Sequence, residues 1–297
     1  DRVTGNLERF SQKSKKIHID IDPSCIGKNV SVDIPIVGDA KNILRDMNKL
    51  AQPAQIEPWM RQIREWQEKY PFEYRQNGDR VMPQYVIEQA YDLFPDAVVT
   101  ADVGQHQMWA AQYFDFDEPR QWLTSGSMGT MGFGLPAAIG AQFAQPDLMV
   151  IDVDGDGSIR MNLGELETVT AYDLPVKILL LNNAGDGMVK QWQKLYYGAR
   201  FSGSDKTLRQ KDFVMCAKSD GFEYAEQLTE KKDVAKTIKK FIDFPKAAFL
   251  EVIIDPDAMV YPMVGPGMAY DQMVTGEFIS SRETDQEIDD IDPNAMF

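Results

Sequence analysis

Residues 150–162 read VIDVDGDGSIRMN, an apolar run that ends in Gly155, Asp156 and Gly157. A second apolar run ends in LLLNNAGDG and carries Asn182, Asn183 and Gly185. An aspartate oxygen, an asparagine carbonyl oxygen and a backbone carbonyl are hard donors of the kind Mg2+ accepts, and Mg2+ completes its shell with water and phosphate oxygens. Flanking glycines let the backbone approach a ligand closely. Taken alone, each motif has a plainer reading, a tight turn for GDG and a helix cap for the Asn pair. Placed at the ends of two strands with one helix between, they read as a cation holding a diphosphate.

Other residues are more ambiguous. DVGQHQMWAAQ follows another strand-like run and carries His106, one of only two histidines. Gln105 and His106 suit phosphate oxygens at the start of a helix, or else a cap and a buried imidazole. Met188, Val189 and Trp192 have i, i+1, i+4 spacing, which fits core packing or a wall beside a cofactor ring. In GSMGTMGFGLPAAIGA, Gly132, Gly134 and Ala137 satisfy GxGxxG/A, with Asp152 about 20 residues on as a dinucleotide fingerprint requires. The preceding QWLTSGSMGTM is polar, glycine-rich and not expected to be a strand, so the better reading is a loop leading into a helix with Pro136 in its first turn.

The elements needed to position these residues follow from periodicity. Strands are expected at 16–22, 96–103, 148–155, 176–183 and 247–255, and helices at 83–94, 135–144, 162–172, 188–197 and 231–242. Several strands are apolar on both faces. The fold class is therefore α/β, a doubly wound, mostly parallel sheet with helices on both faces, preceded by a fragment of a second α/β domain. The expected division is 1–52 for that fragment, 53–82 for a connector, 83–275 for the diphosphate- and metal-binding domain, and 276–297 for an acidic tail. The 297 residues carry a net charge of −15, which argues against nucleic acid or an anionic membrane as partner. No run approaches the roughly 20 apolar residues of a membrane span. Cys25 and Cys216 form no disulfide framework and suggest a reducing compartment. The N-terminus matches neither a signal nor a transit peptide and starts without Met, as if cut from a longer chain.

GQHQMWAAQ, PRQWLTSGSMGTMGFGLPAAIGAQ, DVDGDGSIRMN and LPVKILLLNNAGDGMVKQWQ, with DRVTG, IHIDIDPSCIGKN and GDA at the front, resemble the C-terminal half of the acetohydroxyacid synthase (acetolactate synthase) catalytic subunit. The resemblance implies the thiamine diphosphate-binding fold, with thiamine diphosphate, Mg2+ and a structural FAD as cofactors. It implies a carboligase of branched-chain amino-acid biosynthesis that decarboxylates pyruvate and condenses the product with pyruvate or 2-ketobutyrate. Asp156, Asn183 and the Gly185 carbonyl become metal ligands. Gln105 and His106 meet the diphosphate, which Gly155, Gly157, Ser158 and Gly187 frame. Met131 props the cofactor, Met188 lines its thiazolium side, and Trp192 bounds the acceptor pocket. Arg2, Val3, Asp20, Ile21, Gly38, Asp39 and Ala40 match flavin-contact positions. Ala184, Gly185 and Asp186 depart from the residues common in the family, as does VGPGM at 264–268. By the same resemblance the chain works as a homo-oligomer, dimer or tetramer, or with a complementary chain bringing the pyrimidine-binding domain and its glutamate. A regulatory subunit is a further partner, and the location is cytoplasmic in a bacterium, plastid or mitochondrion in a eukaryote. The alternatives are another thiamine diphosphate-dependent 2-keto acid decarboxylase or carboligase, a non-catalytic cofactor-binding module, or a nucleotide-binding Rossmann domain.

Overall fold

A computed structural model describes residues 3–208 and 210–276, so Arg2 of the expected flavin set and residues 277–297 of the expected tail lie outside the described residues. The chain separates into two compact units, one formed by 3–73 with 261–276, the other by 74–260. These borders differ from the expected division at 83 and 275.

In the first unit, β1 (Ile17–Asp20) pairs in parallel with β2 (Ile34–Val37), and helices α1 (Ala40–Leu50) and α2 (Glu57–Lys69) follow. Asp39 caps α1, its Oδ1 accepting from Asn42 N at 3.0 Å, which satisfies one of the donors a helix start leaves unpaired.

The second unit is doubly wound. Its elements in chain order are α3 (Pro83–Leu93), β3 (Val98–Ala101), α4 (Gln105–Tyr113), β4 (Trp122–Thr124), α5 (Gly134–Ala144), β5 (Val150–Gly155), α6 (Leu166–Ala171), β6 (Lys177–Asn182), α7 (Gly187–Tyr196), α8 (Phe213–Ser219), β7 (Tyr224–Leu228), α9 (Val234–Asp243) and β8 (Ala248–Ile253). The strands form one parallel sheet in the order β4-β3-β5-β6-β8-β7. Successive strand side chains point to opposite faces, and the apolar runs are long enough to fill both. Ile151, Val153, Leu179, Leu181, Leu250 and Val252 enter one core with α3, α4 and α9. Val150, Ile178, Leu180 and Phe249 enter the other with α5, α6 and α8. From β3 the chain passes to β4 on one side and then to β5 on the other, which makes the β3/β5 crevice the topological switch point where such sheets bind ligands.

One expectation is corrected. The stretch before the glycine loop does contain a strand, Trp122–Thr124, paired with Val99–Ala101 at the sheet edge. Three half-buried residues with one partner are too few to display a period of two. The structure also adds β7 and α8, which the periodicity did not announce. Two expected helices are shortened by single helical turns at their starts, at 163–165 and 231–233. Among the described residues no helix is long and apolar enough to cross a membrane.

Candidate functional site

The carboxyl ends of β3, β5 and β6, neighbours in the sheet, bring the two motifs together. Asp156 follows β5 and is 2 % exposed. Its Oδ1 accepts from Gly185 N at 3.4 Å, and its carbonyl accepts from Arg160 Nε at 2.8 Å. Burial pushes its carboxyl up to about 6, against the Gly185 N–H and the charge of Arg160, which favour the ionised form. Asn183 follows β6, buried, and its Nδ2 donates to Gln105 Oε1 at 3.1 Å. Gln105 Nε2 in turn donates to Gln191 Oε1 at 2.8 Å and to the Ala258 carbonyl at 3.1 Å. Both of its amide hydrogens are thus engaged by the protein, and Gln105 acts here as a brace between α4, α7 and the chain after β8.

His106 lies against the same turn. Its Nε2 is 3.5 Å from Ser158 Oγ and 3.9 Å from Asp154 Oδ1. Burial pushes the imidazole down to about 3, so at neutral pH it is a neutral hydrogen-bonding group. The glycines are set by lack of room. A methyl on Gly155 would lie 2.6 Å from His106 Nδ1, one on Gly157 would overlap Asp186 Oδ1, and one on Gly187 would overlap Gln105 Oε1 and Asn183 Nδ2.

Three buried aspartates lie after β3 and within β5; of these the sequence had pointed only to Asp152, as the acid of the dinucleotide fingerprint. Asp102, after β3, accepts from Gly132 N at 2.9 Å and Gly134 N at 2.8 Å. The amides that a dinucleotide phosphate would need are therefore spent on a carboxylate, which removes the support for the Rossmann reading. Asp154 Oδ1 accepts from Gly155 N at 2.7 Å and from the Ser158 hydroxyl, and Asp152 Oδ1 accepts from Thr100 Oγ1 at 2.9 Å. Burial, reinforced by neighbouring carboxylates, pushes Asp152 up to about 8 and Asp154 well above the usual carboxylate range. Gln191 was missed as well; it lies one turn beyond Gly187 on α7, so the i, i+4 spacing from the helix start was the available signal.

Met188 packs against the core shared with α3, α4 and α9. Trp192 is half-buried with its ring 5.3 Å from that of Tyr196, and Met131 is half-buried in the glycine loop. In the first unit, the ends of β1 and β2 bring Asp20, Ile21, Gly38, Asp39 and Ala40 to one edge, where Gly38 N donates to the Asp20 carbonyl at 2.9 Å. Val3 is exposed, and its carbonyl accepts from the Tyr270 hydroxyl.

This edge fits a metal-bound diphosphate. Helices α4 and α7 both start here without a side-chain cap, so their first N–H groups and positive dipole ends suit an anion. A buried carboxyl held up near 6 favours a cation beside it. Among the described residues no group of three or more His, Cys, Asp or Glu is spaced to hold a metal. The available set is one carboxylate, one side-chain amide and backbone oxygen, which suits Mg2+ when phosphate supplies further ligands.

Comparison with known proteins identifies the domains. Residues 102–252 match the thiamine pyrophosphate enzyme, C-terminal TPP binding domain, and residues 1–47 match the central domain of the same enzymes. The acetolactate synthase large subunit of Haemophilus influenzae is 43% identical over 281 residues, 92% of this chain and 49% of that protein. The isozyme 3 large subunit of Escherichia coli is 42% identical over 284 residues, 92% of this chain and 49% of that protein. The chloroplastic acetolactate synthase of Arabidopsis thaliana is 40% identical over 289 residues, 93% of this chain and 43% of that protein. The chain spans about half the length of these curated relatives. It belongs to the thiamine pyrophosphate enzymes, with the C-terminal TPP-binding domain of that family at residues 102–252.

Proposed function

We propose that this chain supplies the diphosphate- and metal-binding half of an acetohydroxyacid synthase active site, in which pyruvate is decarboxylated and the product condensed with pyruvate or 2-ketobutyrate. The carrying observation is the meeting of Asp156 and Asn183 on adjacent strand ends, between two uncapped helix starts, in a chain whose relatives are named acetolactate synthase. Asp156, Asn183 and the Gly185 backbone would hold Mg2+. The first N–H groups of α4 and α7 and the Gly155–Ser158 turn would hold the diphosphate. Thiamine diphosphate, when bound, supplies the electron sink that decarboxylation requires.

The chain's own residues set what surrounds that chemistry. Gln105 and Gln191 lock α4 to α7, so the two helix starts keep a fixed separation. His106, neutral, fills the space behind Gly155 without adding a competing cation. Met131 and Met188 would line the cofactor. Trp192, on the same helix as Met188, would bound the acceptor 2-keto acid, which favours carboligation over simple decarboxylation. FAD, in a structural role, would lie at the edge formed by Asp20, Ile21 and Gly38–Ala40, where exposed Ile21 and Val37 offer apolar surface beside the start of α1. The large-subunit names of the relatives point to a regulatory second subunit, and a pyrimidine-binding domain would complete the site within a homo-oligomer.

The test is calorimetric titration of thiamine diphosphate with and without Mg2+, on the wild-type chain and on Asp156→Ala. Binding that requires Mg2+ and disappears in the variant supports the site. Equal binding with and without the metal would refute it.

A further inference from the structure

The turn that carries Asn183 and Gly185 is held from behind by a buried side chain outside both motifs. Glu251, in the middle of β8, is 1 % exposed. One of its oxygens accepts from Asn182 Nδ2 at 2.7 Å and the other from Gln227 Nε2 at 2.7 Å. Asn182 closes a second contact, its Oδ1 accepting from Ala184 N at 2.8 Å. Ala184 has φ +55°, in the left-handed region that a residue with a Cβ enters only when something holds it there.

The polarity of this chain is fixed at its far end. Both oxygens of Glu251 accept, whereas an amide has one accepting and one donating end. Glu251 therefore dictates which end of Asn182 faces it: the NH2 group turns to the carboxylate and the oxygen is left for the Ala184 N–H. A reversed amide would set its NH2 against that N–H and release the turn.

We propose that Glu251 is a positioning residue for the metal-binding turn, acting through the amide of Asn182 to keep Ala184 left-handed and thereby to set the Asn183 side chain and the Gly185 backbone opposite Asp156. This rests on the reading of Asp156, Asn183 and Gly185 as the Mg2+ site. Glu251 touches neither metal nor substrate in that reading; it orients the residues that do.

The polarity argument can be tested by exchange. Glu251→Ala removes the acceptor and leaves the Asn182 amide free to reverse. Asn182→Asp alone sets one carboxylate against another. The double variant Asn182→Asp with Glu251→Gln restores the relay, because the new amide donates to the new carboxylate, whose other oxygen accepts from Ala184 N. Each single variant is expected to weaken Mg2+-dependent binding of thiamine diphosphate by about 10- to 100-fold, the range seen when residues behind a metal ligand are lost. The double variant is expected to bind within a fewfold of wild type. Gln227→Ala, which leaves the Asn182 contact intact, should change little.

A role in stability alone would lower the melting temperature of the single variants and leave the affinity of the folded protein untouched. Single variants that bind like wild type, or a double variant no better than the singles, would overturn the inference. If the singles do not fold, Asn182→Ala combined with Glu251→Leu removes the relay without stranding a buried partner; wild-type affinity in that protein would also overturn it. Hydrogen exchange at the Ala184 amide, measured without ligand, separates this inference from the metal assignment. Protection lost in Glu251→Ala and regained in the double variant supports the relay even if the wild-type chain shows no metal-dependent binding, which would count against the metal site alone. Unchanged protection overturns the relay.

Discussion

Asp156 bears a negative charge where burial opposes one, and that opposition has a measurable sign. Its carboxyl is pushed up to about 6 in the ligand-free chain, so at neutral pH the folded state holds an ionised group that the solvent would hold at lower cost. Asp156→Asn keeps the shape and removes the charge. In the absence of ligands it is expected to stabilise the fold by about 1–3 kcal/mol, the scale of a shift of roughly two pKa units. The same substitution removes the anionic metal ligand and should weaken Mg2+-dependent cofactor binding by more than about 100-fold, beyond the loss usual for residues behind a ligand. Chemical denaturation and calorimetry on one protein sample check both signs. A ligand-free variant less stable than wild type would show that Asp156 is a structural group and not a site held ready for a cation.

At the scale of elements, the site depends on how closely helix starts approach one another. Gly187 begins α7 against Gln105 and Asn183, and no methyl fits there. Gly187→Ala is expected to cost about 1–3 kcal/mol through overpacking and to reduce cofactor affinity further by displacing Asn183, read as a drop in melting temperature together with a weaker binding isotherm. A stability loss with unchanged affinity would detach α7 from the binding role. Such contacts explain what the sequence could and could not reveal. β5, β6 and β8 are long apolar runs buried on both faces, and the motifs that follow β5 and β6 were legible because the strand ends and the helix starts obey the same chain direction. β4 and β7 lie at the two sheet edges with a single partner each. Trp122–Thr124 is too short to show alternation, and YAEQL has Glu226 and Gln227 where an apolar signal would have been. Asp156, Asn183 and the glycines were readable as types at a spacing. Asp102, Gln191 and Glu251 were not, because their roles come from neighbours about 30, 86 and 69 residues away in sequence, brought close only by the sheet.

For the Tyr74–Val260 unit as a whole, buried titratable groups give stability an unusual dependence on pH. Asp152 is pushed from 3.8 up to about 8 by burial, so between those values the folded state keeps a proton that the unfolded state releases. Stability must then fall as pH rises through that range. Other buried groups have different windows. His106 is pushed down from 6.5 to about 3, so its destabilising effect grows only below 6.5. Asp156 completes its change by about 6. Lys177, at the opposite end of β6 with its ammonium on the carbonyls of Phe244 and Lys246, is pushed from 10.5 down to about 8, so its destabilising effect is already complete below 8 and eases only above it. Between pH 6.5 and 8 the slope therefore comes from Asp152 together with Asp154, which is shifted in the same direction. Urea unfolding of the ligand-free chain should lose at least about 1 kcal/mol per pH unit across it, one proton setting a scale of about 1.36 per unit. Asp152→Asn, whose amide oxygen can still accept from Thr100, should reduce that slope. Stability that is level or rises between pH 6.5 and 8 would mean that Asp152 is ionised in the folded protein, and the strand ends would then hold a standing negative charge beside the proposed diphosphate site.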